Sequence, residues 1–250
     1  MTRETTSLPA LANARAEWGN FLGFVKRPLL PERAMQPGPA GLRAILRMLA
    51  LDLTLMLVLL SVAVLALAVG VDIPKTALAG VEIDLQLALA VVVLAPIGEE
   101  ILFRWWLSGR PGAVLSTAFL IASLLGMQWV VTNAKTFEQL DPIFWIGVAG
   151  IVAAIAVIFL FRRHPPYRWF RAIFPLLFWL STLAFASIHL LNFDEGNLAV
   201  LLPLVLPQFV LGAILGYLRV HYGLWSSITL HALHNGLILG LVALATVSAT

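Results

Sequence analysis

Seven long apolar runs constrain this chain more than any other feature of its sequence. A helix that crosses about 30 Å of hydrocarbon needs about 20 consecutive, mostly apolar residues. Runs of this kind lie at 44–70, 84–107, 113–132, 143–162, 172–191, 198–219 and 224–248. Because 60% of the 250 residues are hydrophobic and only 12% are charged, an ordinary soluble domain is excluded. The runs predict an all-α integral membrane protein, a polytopic bundle of about seven transmembrane helices.

The basic residues follow the pattern of a membrane topology and not that of a nucleic-acid surface. Despite a formal charge of +3, they cluster at the ends of the apolar runs and form no stripe, so no nucleic-acid partner is expected. Thirteen of the 16 Lys and Arg residues precede or open the first span or follow the second, fourth or sixth. Lys75 and Lys135 fall on the other side, with the acidic loop 192–197. Cytoplasmic loops are enriched in Lys and Arg, which predicts a multi-pass protein of the plasma (inner) membrane with a cytoplasmic N-terminus and an extracytoplasmic C-terminus.

The N-terminal part of the chain differs in composition from the rest. Residues 1–43 are expected to be a cytoplasmic segment, and 44–250 the transmembrane domain. Four apolar residues near the start recur at helical spacing, Trp18, Phe21, Leu22 and Val25. They suit an amphipathic helix on the cytoplasmic leaflet, with a disordered tail as the alternative. A Pro-rich linker, 28–39, follows.

Three ionisable residues lie inside the second apolar run, Glu99, Glu100 and Arg104. A charged side chain at the centre of a membrane helix costs about 2.5–3.5 kcal/mol, so such residues indicate a functional site by default. Glu100 and Arg104 are four apart and can pair on one helix face. Glu99 is rotated about 100° from Glu100, so its partner must come from another helix. A purely structural polar clamp between helices is the alternative.

Later spans add imidazole and amide groups. His189 lies one turn after Phe185 on the fifth span, and a lone histidine of this kind is more often structural than catalytic. The seventh span carries His231, His234 and Asn235, with His231 and Asn235 one turn apart on one face. Carboxylate, imidazole and amide groups together can activate a water and stabilise an oxyanion, which favours hydrolysis.

Other routes to hydrolysis inside a membrane lack their signatures in this chain. The sequence has no cysteine, which excludes disulfides, a cysteine nucleophile and cysteine-based metal sites. It has no H-E-x-x-H zinc helix, no G-x-S-x-G elbow, no paired transmembrane aspartates and no P-loop. Elimination therefore favours a glutamate-based hydrolase.

Three motifs in this order resemble those of the CPBP family of intramembrane proteases, the bacterial relatives of the Ras-converting CAAX prenyl endopeptidase, also called the Abi group. E-E-x-x-x-R matches Glu99, Glu100 and Arg104, F-x-x-x-H matches Phe185 and His189, and H-x-x-x-N matches His231 and Asn235. The resemblance covers roughly 87–240, including the stretch 207–212 before the last helix.

The resemblance implies an intramembrane endopeptidase that hydrolyses a peptide bond of a membrane-associated peptide or protein, with a prenylated CAAX substrate by analogy. The implied roles are water activation by Glu99 with His189, organisation of the site by Glu100 and Arg104, and oxyanion stabilisation by His231 and Asn235. Family members are often labelled metalloproteases. A divalent metal such as zinc, held by Glu99, His189 and His231, therefore stands as an alternative to direct activation of water by the glutamate.

Two departures from the family pattern bear on the site. Trp105 follows Arg104, where the family commonly has glycine, and two additional spans, 113–132 and 143–162, separate the first motif from the second. Two other functions are compatible with these residues. One is a non-catalytic membrane scaffold or bacteriocin-immunity-type protein. The other is a transporter or proton relay, which is less favoured because the sequence has no internal repeat with matching broken helices.

Overall fold

The computed structural model describes residues 13–74, 76, 81–193 and 195–248, and these ranges are almost entirely helical. Predictions on residues 1–12, Lys75 and Asp194 fall outside the described residues. The α-helices are α1 (Ala14–Lys26), α2 (Pro39–Ala68), α3 (Leu85–Leu89), α4 (Ala95–Phe103), α5 (Pro111–Asn133), α6 (Pro142–Phe161), α7 (Arg168–Ala172), α8 (Phe174–Ile188), α9 (Leu198–Leu204), α10 (Leu206–Tyr222) and α11 (Leu224–Ser248). A π-helical turn, Ala90–Leu94, joins α3 to α4, and 3₁₀ turns occupy Trp105–Ser108, Phe137–Leu140 and His189–Asn192.

Six helical segments of the described chain are long and apolar enough to cross a membrane, and the number is seven if one bent pair forms a single span. The six are Pro39–Ala68, Leu85–Phe103, Pro111–Asn133, Phe137–Phe161, Phe174–Asn192 and Leu224–Leu244. The all-α polytopic membrane fold predicted from the apolar runs is confirmed. Helix α2 begins five residues before 44, so the expected division between 1–43 and 44–250 falls inside this helix.

Two spans differ from the sequence prediction for identifiable reasons. The second ends at Phe103 and not at 107, because Arg104 leaves helical geometry (φ −123°, ψ −23°) and a 3₁₀ turn follows. The sixth is not one straight helix, since α9 and α10 meet at an angle of 41°. Pro207, in the first turn of α10, has no N–H with which to continue the α9 hydrogen-bond ladder.

Helix α1 packs on the bundle through its apolar side. Phe21 and Phe24 are buried among residues of the core. The buried carboxylate of Glu17 accepts hydrogen bonds from the hydroxyls of Tyr217 and Tyr222, both at 2.8 Å. The helix predicted here is present, so residues 14–26 are not a disordered tail. The helix does not lie on lipid alone, because the protein itself supplies the partners of Glu17.

A column of aromatic rings sets the distance between α8 and α10. Phe174, Phe178 and Phe185 recur along α8 and are completely buried. A Cβ at Gly216 of α10 would lie 2.6 Å from the ring of Phe178. Since only glycine leaves room for that ring, α10 approaches α8 closely.

Helices α5 and α6 form the hairpin that the sequence adds between the first two motifs. They lie so close that a Cβ at Gly112 would meet the backbone of Ile158 at 3.2 Å. The hairpin is joined to the rest of the bundle at one end, where the indole N–H of Trp105 donates to Ser116 Oγ at 3.0 Å. The two additional spans therefore leave the contacts between α4, α8, α10 and α11 intact.

Candidate active site

Glu100 is the most enclosed ionisable residue of the second span. Its carboxylate oxygen Oε1 lies 3.0 Å from Arg104 Nη1, so the pair expected from their spacing is present. The same oxygen lies 3.1 Å from Nδ1 of His231 on α11. A carboxylate paired with arginine is an acceptor, so Nδ1 of His231 carries the donated proton. Glu100 thus ties α4 to α11 and fixes the orientation of the imidazole.

Glu99 finds its partner on another helix, as its position predicted. Its Oε2 lies 3.8 Å from Nε2 of His231 and has no hydrogen-bond partner in the structure. The side chain keeps 28% of its exposure, whereas that of Glu100 has none. With Nδ1 donating to Glu100, a neutral His231 presents the lone pair of Nε2 to Glu99. Two acceptors therefore face each other at the mouth of the polar cluster.

Phe185 connects the remaining histidine to this group. The Arg104 guanidinium carbon lies 3.8 Å above the Phe185 ring, a cation–π contact that helps to offset the burial of the charge. The Phe185 ring is 4.8 Å from that of His189 and 5.6 Å from that of His231. His189 donates from Nδ1 to the Phe185 carbonyl at 2.7 Å, which leaves Nε2 as an acceptor in the neutral ring.

Small residues on α10 make room for this arrangement. A Cβ at Gly212 would lie 3.1 Å from the Phe185 ring and 3.2 Å from Arg104 Nη2. Ser181 of α8 donates to the carbonyl of Phe103, holding α8 against the end of α4. Gly212, the last residue of the stretch 207–212, thus supports the site by allowing close approach.

Asn235 fills a gap that the sequence creates in the second span. In the π-helical turn, the N–H of Ala95 reaches back five residues to the carbonyl of Ala90. The next residue, Pro96, has no N–H for the Val91 carbonyl. Asn235 Nδ2 donates to that carbonyl at 2.9 Å. One amide hydrogen of Asn235 is thereby used in the structure, and the second is available for other acceptors.

Arg219, a residue of α10, binds the C-terminal end of α4. Its Nε donates to the carbonyl of Arg104 and its Nη2 to that of Trp105, both at 3.0 Å. The positive side chain satisfies carbonyls at the negative end of the helix dipole. Sequence reasoning counted Arg219 only as a topology signal, because its partners lie more than a hundred residues away.

Asp52 is a buried partner that the sequence reasoning missed. It lies on α2, and its Oδ2 is 2.6 Å from Nδ1 of His234 on α11. Its other oxygen is buried without a hydrogen-bond partner. The signal was present in the sequence, because an aspartate within the apolar run 44–70 is itself an intramembrane ionisable residue.

The three residues named as ligands of a possible metal, Glu99, His189 and His231, do not form one metal-binding group. The part of the chain that the structure describes contains no group of three or more His, Asp or Glu side chains able to hold a metal ion. Glu99 approaches His231, whereas Nδ1 of His189 is bound to a backbone carbonyl. No step below is therefore routed through a metal.

The geometry combines a buried carboxylate oxygen without a hydrogen-bond partner, on a partly exposed side chain, with an oriented imidazole and an amide donor in an apolar bundle. Electrostatic interactions are stronger in such a low-dielectric setting than in water. The group can therefore polarise and deprotonate a water molecule and stabilise negative charge that develops nearby.

Comparison with known proteins identified one family. The model of the family described as type II CAAX prenyl endopeptidase Rce1-like matches residues 82–164 and 139–237. The matched segments together include all three motifs and well over half of the chain. Comparisons with proteins of curated function and with solved structures gave no match.

Proposed function

Because the chain belongs to the Rce1-like type II CAAX prenyl endopeptidases, we propose that it hydrolyses a peptide bond near the C-terminus of a prenylated polypeptide, with Glu99 as the base that activates water. Family membership supports a CAAX-type intramembrane protease in general and a membrane-associated substrate. The single observation that carries the residue assignment is the polar chain Glu99–His231–Glu100–Arg104, formed between α4 and α11.

The facing acceptors suggest where the attacking water binds. Glu99 Oε2 and His231 Nε2 are 3.8 Å apart. A water at the apex between them can donate one proton to each at an ordinary distance of about 2.8 Å. His189, with Nε2 as an acceptor, contacts the same Phe185 ring as His231. This arrangement gives His231 a larger share in positioning the water than the family resemblance implies.

The proposed reaction proceeds in two steps. In the first, Glu99 takes a proton from the water as its oxygen adds to the scissile carbonyl carbon. The second N–H of Asn235 is the donor available to the resulting oxyanion. In the second step the carbon–nitrogen bond breaks, and the proton on Glu99 passes to the leaving amine. Glu100 and Arg104 take no proton in this scheme. Their role is to hold His231 in its orientation.

The test compares Glu99→Gln with the wild-type chain on a prenylated CAAX peptide in nanodiscs. Glutamine keeps the size of the side chain and removes the base, so kcat should fall by roughly 100- to 10,000-fold. Glu138→Gln is the matched control, since Glu138 is an exposed glutamate of the loop between α5 and α6. It should cleave the peptide at the wild-type rate.

Thermal unfolding in detergent should give similar midpoints for wild type and both variants. Cleavage by a folded Glu99→Gln at near wild-type rate would refute the assignment. In that case the polar cluster would be better explained by the scaffold or proton-relay function.

A further inference from the structure

A second polar site lies at one end of the bundle, apart from the Glu99 cluster. It is a cavity of about 530 Å³. Its walls come from four separate parts of the chain: the segment before α2, the turn from Trp105 into α5, the end of α6, and the end of α10. None of the proposed catalytic side chains lines it. Any ligand it binds is therefore distinct from the reacting peptide bond.

Four arginines line this cavity, Arg33, Arg110, Arg162 and Arg219. One carboxylate, Glu32, accompanies them. Within the described ranges, no ion pair involves Arg33, Arg110 or Arg162. Like charges held around one cavity repel each other, and an anion between them relieves that repulsion. The cavity is therefore suited to a negatively charged ligand.

The backbone adds donors at the same place. Helix α5 is 23 residues long and begins at Pro111, with no side-chain cap at its N-terminus. Gly112 and Ala113, in its first turn, line the cavity. Amide groups of a first turn have no partner within the helix, and this end of the helix dipole is positive. Phosphate groups bind at helix ends of this kind.

Apolar residues form the remaining wall and favour a lipid over a soluble anion. Leu30, Ile158 and Phe161 line the cavity beside the arginines. Phe159 and Leu160, at the same end of α6, are exposed on the outer surface of the hairpin, where acyl chains can pack. Basic pockets between transmembrane helices are typical sites for lipid head groups.

We propose that this cavity binds the phosphate head group of an anionic phospholipid, at the junction of the α5–α6 hairpin with the rest of the bundle. The ligand holds together four parts of the chain, because its negative charge relieves the repulsion between their arginines. Because Arg219 also bonds the carbonyls of Arg104 and Trp105, the bound lipid stabilises the end of the helix that carries Glu99.

The test measures lipid retention by the full chain. The protein is purified from nanodiscs of phosphatidylcholine, with or without phosphatidylglycerol, and retained lipid is counted by native mass spectrometry. Wild type should retain phosphatidylglycerol in preference to phosphatidylcholine, and its thermal midpoint should rise with phosphatidylglycerol. An arginine that contacts the lipid head group is expected to contribute about fivefold to its binding. Arg110→Gln with Arg162→Gln should therefore weaken retention by roughly 25-fold.

Arg163→Gln with Arg168→Gln is the matched control. It removes the same charge from the segment that follows α6, and neither residue lines the cavity. Retention by this control should equal that of wild type. Equal loss in both double variants, or no preference of wild type for phosphatidylglycerol, overturns the proposal. If the cavity double variant fails to fold, Arg33→Gln, an exposed position outside the helices, replaces it and should weaken retention about fivefold.

Two further arms separate the lipid from other anions. Inorganic phosphate should not raise the midpoint of the protein in phosphatidylcholine discs, and an equal rise would assign the cavity to a small soluble anion. The cavity double variant should have the wild-type KM for a prenylated peptide, both when the C-terminus of the peptide is a free carboxylate and when it is an amide. An increase in KM for the carboxylate form alone would assign the arginines to the substrate and overturn the lipid site.

Discussion

At the scale of single residues, Asn235 has a structural and a proposed catalytic role that can be separated. Its amide donates to the Val91 carbonyl, which lacks a backbone donor from position 96 because that residue is proline. The same side chain lies one turn from His231, whose Nε2 faces Glu99. Pro96 of α4 and Asn235 of α11 thus form one unit, because the proline leaves a carbonyl without a donor and the asparagine supplies one.

Replacing both members of this unit distinguishes the two roles. Asn235→Ala should lower the free energy of unfolding by about 1 kcal/mol, the scale of hydrogen bonds between membrane helices. It should also abolish peptide cleavage. Pro96→Ala supplies an N–H at position 96, so the double variant should regain stability but not cleavage. Unfolding midpoints in detergent and kcat/KM are the measurements. Recovery of both quantities in the double variant would make Asn235 purely structural.

Asp52 and His234 are predicted to be coupled in stability. Asp52→Ala leaves the Nδ1–H of the partly buried His234 without its acceptor, which should cost about 1–3 kcal/mol. Adding His234→Phe removes the donor as well, so the double variant should be more stable than Asp52→Ala alone. Asp141→Asn, at an exposed aspartate, should leave the unfolding midpoint unchanged. Additive losses in the double variant would mean that the two side chains do not interact.

At the scale of helices, the two departures from the family pattern form a single feature. Trp105 stands where the family commonly has glycine, and its indole binds Ser116 of the additional hairpin. Arg219 lies beside the same ring, with its guanidinium carbon 6.0 Å from the ring centre. The bulky residue therefore occupies the place where the hairpin joins the bundle.

Trp105→Phe should loosen the hairpin with little effect on total stability. The substitution keeps an aromatic ring and removes the donor to Ser116, a loss of about 0.6 kcal/mol on the average for membrane helices. Hydrogen exchange in the first turns of α5 should become faster. Trp145→Phe is the matched control, because Trp145 is 68% exposed on the outer side of α6. Equal exchange in the two variants would contradict the proposed anchoring role.

At the scale of the whole molecule, the basic residues of separate loops meet at one end. Arg33, Arg110, Arg162 and Arg219 line one cavity. Arg33 precedes the first span, whereas the other three follow the second, fourth and sixth spans. An isolated β-bridge joins Thr76 to Phe193, in two of the loops that the charge pattern assigns to the opposite side. The structure thus agrees with the division of loops into two sides, and the compartment that each side faces is a prediction from charge.

Reporter fusions test that orientation. A reporter placed before Met1, or in the loop between Arg162 and Arg171, should be cytoplasmic because Lys and Arg are retained on that side. A reporter after Thr250 should be extracytoplasmic, since the chain would cross the membrane seven times. A cytoplasmic C-terminal reporter would require an even number of crossings and contradict this topology.

The sequence by itself determined the class of fold and the interactions within a helix. Long apolar runs predict membrane-spanning helices, because only a helix or a closed barrel satisfies all of its backbone hydrogen bonds in hydrocarbon. The pair Glu100–Arg104 follows from helical periodicity, since residues four apart share a face. The same periodicity showed that Glu99 needs a partner on another helix, without identifying which one.

Only the tertiary structure decided which helices meet and in what rotation. The Glu100–His231, Asn235–Val91 and Asp52–His234 contacts join residues 131, 144 and 182 positions apart. Such contacts depend on helix rotation and crossing. These are constrained at α10 by close packing, since a Cβ at Gly212 would lie 3.1 Å from the Phe185 ring and a Cβ at Gly216 would lie 2.6 Å from the Phe178 ring. A sequence pattern places a side chain on a helix face, but the distance between two faces is a property of the packed core.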